Sequence, residues 1–325
     1  MFIILLNSNN SDFLMRILII KIGALGDVVR TSFIAQALMD KYSRFEPEIF
    51  WVTDSKAKAF FMNNPYIYSI IDVRDREKLR KIKFDLVINL EEDEETSKFV
   101  SSLICKRVIG VFMNSSGKLD YTIEGKNWFD MSMISEFGKE KADSLKFENK
   151  KTHRELISEI IGVNPEKYEP FLRLNNTQRK IAENFMRRHN LSRKDLIVGI
   201  NTGAADRWPK SLSIKKTSQL IDLIYKNYNA KILLFGGPNE IERNKEIMKL
   251  VNSSVIDTGC GNDFVEFPAL ISLCSIFVTT DSLGLHVSLG LKRKTICLIG
   301  PTSSSEIGTY EMGEKIIAKS KCICC

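Results

Sequence analysis

Residues 201–210 (NTGAADRWPK) follow an apolar run and combine a glycine, a hydroxyl and two cations. Thr202, the amides around Gly203 and the cations Arg207 and Lys210 can together hold a diphosphate, because successive backbone N–H groups beside a cation form an anion-binding concavity. Residues 236–243 (GGPNEIER) put Glu240 in the first turn of a helix opened by Pro238. A carboxylate there can accept hydrogen bonds from both hydroxyls of a ribose, although glutamate at that place also simply suits the helix dipole. Residues 279–286 (TTDSLGLH) set Asp281 and Ser282 as caps of the apolar helix LGLHVSLGL, whose exposed N–H groups favour a phosphate. His286 comes one turn later. A lone histidine in an apolar helix is usually a core residue, but this one stands beside a polar strand end. Residues 300–305 (GPTSSS) form another strand-end loop rich in hydroxyls. Residues 21–30 (KIGALGDVVR) join a strand to a helix through Gly23 and Gly26, which let the backbone turn tightly and approach a ligand. Asp27 stands at or near the N-cap of that helix, where capping alone would favour it. The G-x-x-G-D spacing is not the G-x-G-x-x-G of a dinucleotide site, which sets a dehydrogenase aside.

The elements that must position these residues alternate short β-branched runs with longer amphipathic stretches, the pattern of βαβ units and parallel sheets. Strands are predicted at 16–22, 48–53, 67–73, 86–90 and 107–112, and again at 196–201, 231–235, 254–257, 276–280 and 295–299. Helices are predicted from about Val28, at 152–161, and then at 178–189, 215–228, 240–251, 266–274 and 283–291. Residues 113–150 lose the rhythm and read as a long loop or insertion facing an acceptor. The breaks Asn164–Pro165 and Pro170 put a domain boundary near 165–175. The fold class is therefore α/β, with two Rossmann-like, doubly wound domains at 15–170 and 171–325 and a cleft between them. Four of the five polar segments end strands of the second half, so they share one edge of one sheet, where such sheets bind ligands.

At 325 residues the chain is long for one core and comfortable for two. Its net charge of +7 favours anionic partners, but no aromatic-interleaved basic motif points to nucleic acid. The charged runs at 74–83 and 146–154 read as solvated faces. Residues 1–14 hold an apolar stretch too short for a signal core or a membrane span, and read as a leader or a start placed too early, since Met15 directly precedes the first strand. A cytoplasmic protein is expected. Cys105, Cys260, Cys274 and Cys297 read as reduced thiols. Cys322, Cys324 and Cys325 form a terminal C-x-C-C cluster. Such thiolates can bind zinc or an iron–sulfur unit, but three ligands at that spacing do not complete a tetrahedral site.

Taken in order, the segments RILIIKIGALGDVVRTSFIAQAL, INTGAADRWPK, ILLFGGPNEIERN, TTDSLGLHVSLGLKRKTICLIGPTSSSEIG and CICC resemble glycosyltransferase family 9, which includes the heptosyltransferases of lipopolysaccharide core assembly. The resemblance implies a GT-B fold with the nucleotide-sugar donor in the C-terminal domain and the acceptor, a glycan or lipid-linked saccharide, in the N-terminal one. It implies an inverting transfer, typically from an ADP-linked heptose, with no cofactor or metal, and peripheral contact with the inner membrane. In the family's pattern Asp27 matches the general base, Thr202 and Gly203 the diphosphate loop, and Glu240 the ribose-binding glutamate. Asp281, Ser282 and His286 match a D-T-G-x-x-H donor loop, with its glycine displaced by one position to Gly284. The family's phosphate-facing lysine falls on Asp206, so that role passes to Arg207 or Lys210. The rivals are a sugar-nucleotide epimerase or hydrolase of the same fold, and a non-catalytic scaffold.

Overall fold

A computed structural model describes residues 14–204, 210–300 and 303–319. Its strands, in chain order, are β1 (Arg16–Ile20), β2 (Glu48–Thr53), β3 (Ser69–Asp72), β4 (Lys83–Phe84), β5 (Leu86–Asn89), β6 (Ile104–Cys105), β7 (Val108–Met113) and β8 (Leu119–Tyr121) in the first half. The second half has β9 (Ile197–Asn201), β10 (Lys231–Phe235), β11 (Val255–Asp257), β12 (Ile276–Thr280), β13 (Lys294–Ile299) and β14 (Gly313–Ile317). They build two six-stranded sheets, ordered β3-β2-β1-β5-β7-β8 and β11-β10-β9-β12-β13-β14, and β4 pairs with β6 in a separate two-stranded sheet. The neighbours are parallel except for the β7/β8 pair.

The apolar runs make central strands because both faces of each sheet are covered. Along β1, Ile17 and Ile19 enter one core while Leu18 and Ile20 enter another, the two-residue period of a pleated strand. In β10, Leu233 and Phe235 join the first of those cores, and Ile232 and Leu234 face a third. That first core holds Val28 and Phe33 from one half together with Phe235, Phe277 and Val287 from the other, so it is continuous across the two sheets.

Each strand order reverses once, between β1 and β5 and between β9 and β12. These are the switch points where loops part and leave a crevice. The helix Leu25–Arg30 follows β1, the helix Leu283–Gly290 follows β12, and the two pack on each other. The sheets thus turn their carboxyl edges toward one another. Residues 168–175, free of helix and strand, run from one sheet to the other. They are tied on both sides, Phe171 N donating to Ser32 Oγ at 2.9 Å and Leu172 N to Gly290 O at 2.9 Å.

Two stretches differ from the sequence expectation. Residues 113–150 hold β8 and the helices Lys126–Phe129 and Lys139–Glu148. Asn114 Oδ1 accepts from the amides of Ser116 and Lys118, at 3.1 and 3.0 Å, and this closes a polar hairpin between β7 and β8. β14 was not foreseen because it is an edge strand whose side chains are mostly exposed, so it carries no apolar run.

Phe277 supports the β9/β12 switch point from beneath: it is fully buried, edge-on to Phe235 with ring centroids 5.3 Å apart. Phe277→Ala should lower the unfolding free energy by about 3–5 kcal/mol, read as an earlier midpoint in urea at unchanged slope.

Candidate active site

The carboxyl edge of the first sheet is shaped by a carboxylate. Glu91, just after β5, accepts hydrogen bonds from the amides of Ile22 and Gly23, at 2.7 and 3.3 Å, and from Lys21 Nζ at 2.7 Å. This pins the loop after β1 across the switch point and sets where the next helix starts. Its N-cap is Ala24, with no side-chain cap, and Asp27 lies in the first turn. Asp27 is therefore not spent on capping. Its side chain is 37% exposed, and its Oδ1 is 2.9 Å from Nε of Arg30, which is 13% exposed. The approach is out of line for a hydrogen bond, so the contact is an ion pair.

On the second sheet the predicted donor residues come together along one edge. Asn201, the last residue of β9, donates from Nδ2 to Thr279 Oγ1 at 2.9 Å and to Gly203 O at 3.2 Å. Lys210 Nζ donates to Asp281 Oδ2 at 2.8 Å and to Asp281 O at 3.1 Å. The loops after β9 and β12 are thus joined by both pairs. Gly284 makes the approach possible: a Cβ there would sit 2.9 Å from Asn201 Nδ2. The displaced glycine of the donor loop consequently has a packing reason in this chain.

Some roles differ from expectation. Ser282 is at the N-cap of Leu283–Gly290 but makes no side-chain cap, its Oγ lying 3.1 Å from Thr279 Oγ1 instead. Asp281 turns to Lys210 rather than to the helix. Thr202 is buried, with its hydroxyl 2.6 Å from Asn244 Oδ1 and 2.9 Å from Phe235 O, and its amide also bonds Phe235 O. Glu240 ends the short turn Pro238–Glu240 and accepts from Gly237 N at 2.8 Å, close to where a Cβ on Gly203 would lie. Arg207, Cys322, Cys324 and Cys325 lie outside the described residues. Among the described residues no three His, Cys, Asp or Glu side chains converge as metal ligands. Glu91, Asn201, Asn244, Arg30 and His153 were not singled out from sequence. The available signals were a polar residue ending a buried strand, for Asn201, and the i,i+3 spacing to Asp27, for Arg30.

The two edges meet at Gly26. A Cβ there would lie 3.0 Å from His286 Cδ2 and 3.7 Å from Leu283 Cα, so the Asp27 helix rests against the first turn of the donor-side helix. His286 Nε2 is 3.9 Å from Asp281 Oδ1. Burial, and then the charge of Arg30, push the His286 imidazole down to about 4, against the pull of Asp281 and Asp27, so it is neutral at pH 7. His153 is buried with Nδ1 unpartnered and its ring edge-on to Trp128 at 5.1 Å. Burial and the charge of Arg30 hold it well below the usual histidine value. Burial opposes ionisation of Asp281, but the Lys210 hydrogen bond and nearby positive charge hold it below the usual carboxylate range.

The sequence model of glycosyltransferase family 9 (heptosyltransferase) matches residues 73–324. The chain belongs to this family. The matched span begins after Asp27, whose helix packs on Leu283–Gly290. A lipooligosaccharide heptosyltransferase 2 of Campylobacter jejuni is 30% identical over 131 residues, which are 35% of this chain and 37% of that protein; the match thus spans little more than a third of the relative's length. A family 9 glycosyltransferase of Veillonella parvula superposes with a TM-score of 0.79 at 20% identity, over 94% of this chain and 88% of that one. An Escherichia coli heptosyltransferase solved with ADP superposes with a TM-score of 0.61 at 17% identity, over 94% and 91%. These likenesses show a GT-B fold of two Rossmann-like domains.

A depressed histidine has a definite signature. Between its ordinary value of 6.5 and about 4, the unfolded chain binds a proton at His286 that the folded chain does not. The resulting stability is complete above pH 6.5 and is lost as pH falls toward 4. His286→Gln removes that dependence. The unfolding free energy of wild type relative to the variant should fall by about 2–3 kcal/mol from neutral pH into this acid range, measured by urea unfolding in a series of buffers.

Proposed function

We propose that this protein is an inverting, metal-independent glycosyltransferase. It moves a heptose-like sugar from an ADP-linked donor to a hydroxyl of a glycan or lipid-linked saccharide. One observation carries the reading: the helix that bears Asp27 packs at Gly26 against the first turn of Leu283–Gly290, the helix that follows Asp281 and its partner Lys210. Family membership and the relative solved with ADP support the donor class.

The chemistry assigns the parts. A sugar hydroxyl is a poor nucleophile until its proton is accepted. Its oxygen attacks the anomeric carbon while the proton passes to a carboxylate oxygen of Asp27, help worth about 10²–10⁴-fold. The bond from the anomeric carbon to the diphosphate oxygen breaks, and its electron pair leaves with the diphosphate. A single displacement inverts the anomeric centre. The growing charge is met by Lys210 turning from Asp281, by the amide of Gly203 in exchange for its long bond to Asn201 Oδ1, by Arg207 and by the N-terminus of Leu283–Gly290. Glu240 takes the ribose hydroxyls. With its own hydroxyl and amide engaged inside the fold, Thr202 acts by holding the loop rather than by touching phosphate. His286 stays neutral and serves as the packing surface for the Asp27 helix.

The acceptor lies on the N-terminal sheet's side of the crevice, and the net charge of +7 suits an anionic saccharide or a peripheral encounter with the inner membrane surface from the cytoplasm. No helix among the described residues is long and apolar enough to cross a membrane.

A thermal-shift panel of ADP-, GDP-, UDP- and dTDP-sugars identifies the donor, since a ligand at a hundred times its Kd stabilises by about 2.7 kcal/mol. ADP-heptose should give the largest shift. With a heptose-stripped lipooligosaccharide core as acceptor, Asp27→Asn should lower kcat by about 10²–10⁴-fold while keeping the donor-induced shift. Undiminished turnover in this variant, or isomerised donor or free sugar as the sole product of the wild type, would overturn the assignment.

A further inference from the structure

We propose that Arg30 is a positioning residue for Asp27, fixing the rotation of its carboxylate so that one oxygen is turned toward the acceptor while the crevice closes around the substrates. The inference rests on the reading of Asp27 as the base and goes beyond it.

The geometry is unusual for a pair at this spacing. Exposed i,i+3 pairs on a helix contribute little and leave the cation in water. Here the guanidinium is folded back, 13% exposed, with Nε 2.9 Å from Asp27 Oδ1. Nε is buried and makes no hydrogen bond. Withdrawing a guanidinium from water against a half-exposed carboxylate gains little for folding, so stability alone does not account for its placement. Its position is central as well. The charge of Arg30 acts on His286 and Asp281 of the donor side, on His153 at the start of the helix His153–Ile161, and on Tyr310 of the segment after β13. Among the described cations that act on the same groups, Lys21 pairs with Glu91, Lys210 with Asp281 on the donor side, and Arg154 lies over the Tyr310 ring.

Pairing through Oδ1 fixes the rotation of the carboxylate and leaves Oδ2 for the hydroxyl proton.

The test compares wild type, Arg30→Gln and Arg30→Lys in the full chain, with ADP-heptose as donor, the heptose-stripped core as acceptor and ADP release as readout, at about pH 7.5, where burial keeps the neighbouring histidines neutral. Arg30→Gln should lower kcat by about 10²-fold, the cost of a misplaced reacting group, while donor KM stays within about twofold. Arg30→Lys should recover part of that loss, because it restores the charge without the guanidinium's shape. In an Asp27→Asn background Arg30→Gln should cost no more than about twofold further, since residues that act as a unit are not additive. An unchanged kcat in Arg30→Gln, a loss lying wholly in donor KM, or a full further loss in the Asp27→Asn background would show the proposal for Arg30 wrong while the base assignment stands. If Asp27→Asn turns over normally, it is the assignment of the base that fails. Should Arg30→Gln fail to fold, the same comparison is made with Arg30→Lys, and a loss undiminished in the Asp27→Asn background would equally overturn the proposal.

Discussion

The site depends on the seating of one short helix against another. Gly26 brings the Asp27 helix so close to His286 that a single methyl group there would press on the imidazole. Everything functional is arranged around that contact. Glu91 fixes where the first helix begins, Asn201 and the Lys210–Asp281 pair fix the loops beneath the second, and Gly284 lets that helix approach the end of β9. Each of these features brings the helix that carries Asp27 near the carboxyl edge of the other sheet.

The electrostatics follow from burial on the donor side of the junction. Five ionisable groups from three segments meet there, and charges withdrawn from water either pair or are neutralised. Asp27 pairs with Arg30 and Asp281 with Lys210, while burial and the Arg30 charge leave His286 neutral between them. His153, buried against Trp128 on the other side of Arg30, obeys the same rule.

The two-sheet architecture was legible because it is written in patterns that survive without tertiary knowledge. β1, β9, β10 and β12 are continuous apolar runs ended by glycine or a polar residue, and their loops carry the residues that converge. Where the reading failed, the cause was a contact between segments distant in sequence. Asp281 and Ser282 look like caps until Lys210 and Thr279 compete for them. Thr202 looks like a phosphate ligand until Asn244, forty-two positions away, takes its hydroxyl. Glu91 is one carboxylate in an acidic run, and only the β1/β5 pairing reveals that it holds the amides of Ile22 and Gly23. β14 and the β7/β8 hairpin are short and exposed, and therefore lack the apolar period that identifies a strand.

The central claim is geometric and is tested most directly by a structure solved with ADP-heptose bound. The account predicts the diphosphate against Gly203, Lys210 and the N-terminus of Leu283–Gly290. The anomeric carbon should lie no more than about 6 Å from the Asp27 carboxylate, the span of one hydroxyl oxygen between them. A donor seated with its anomeric carbon turned away from Asp27, or a diphosphate bound at another edge of the sheet, would contradict it.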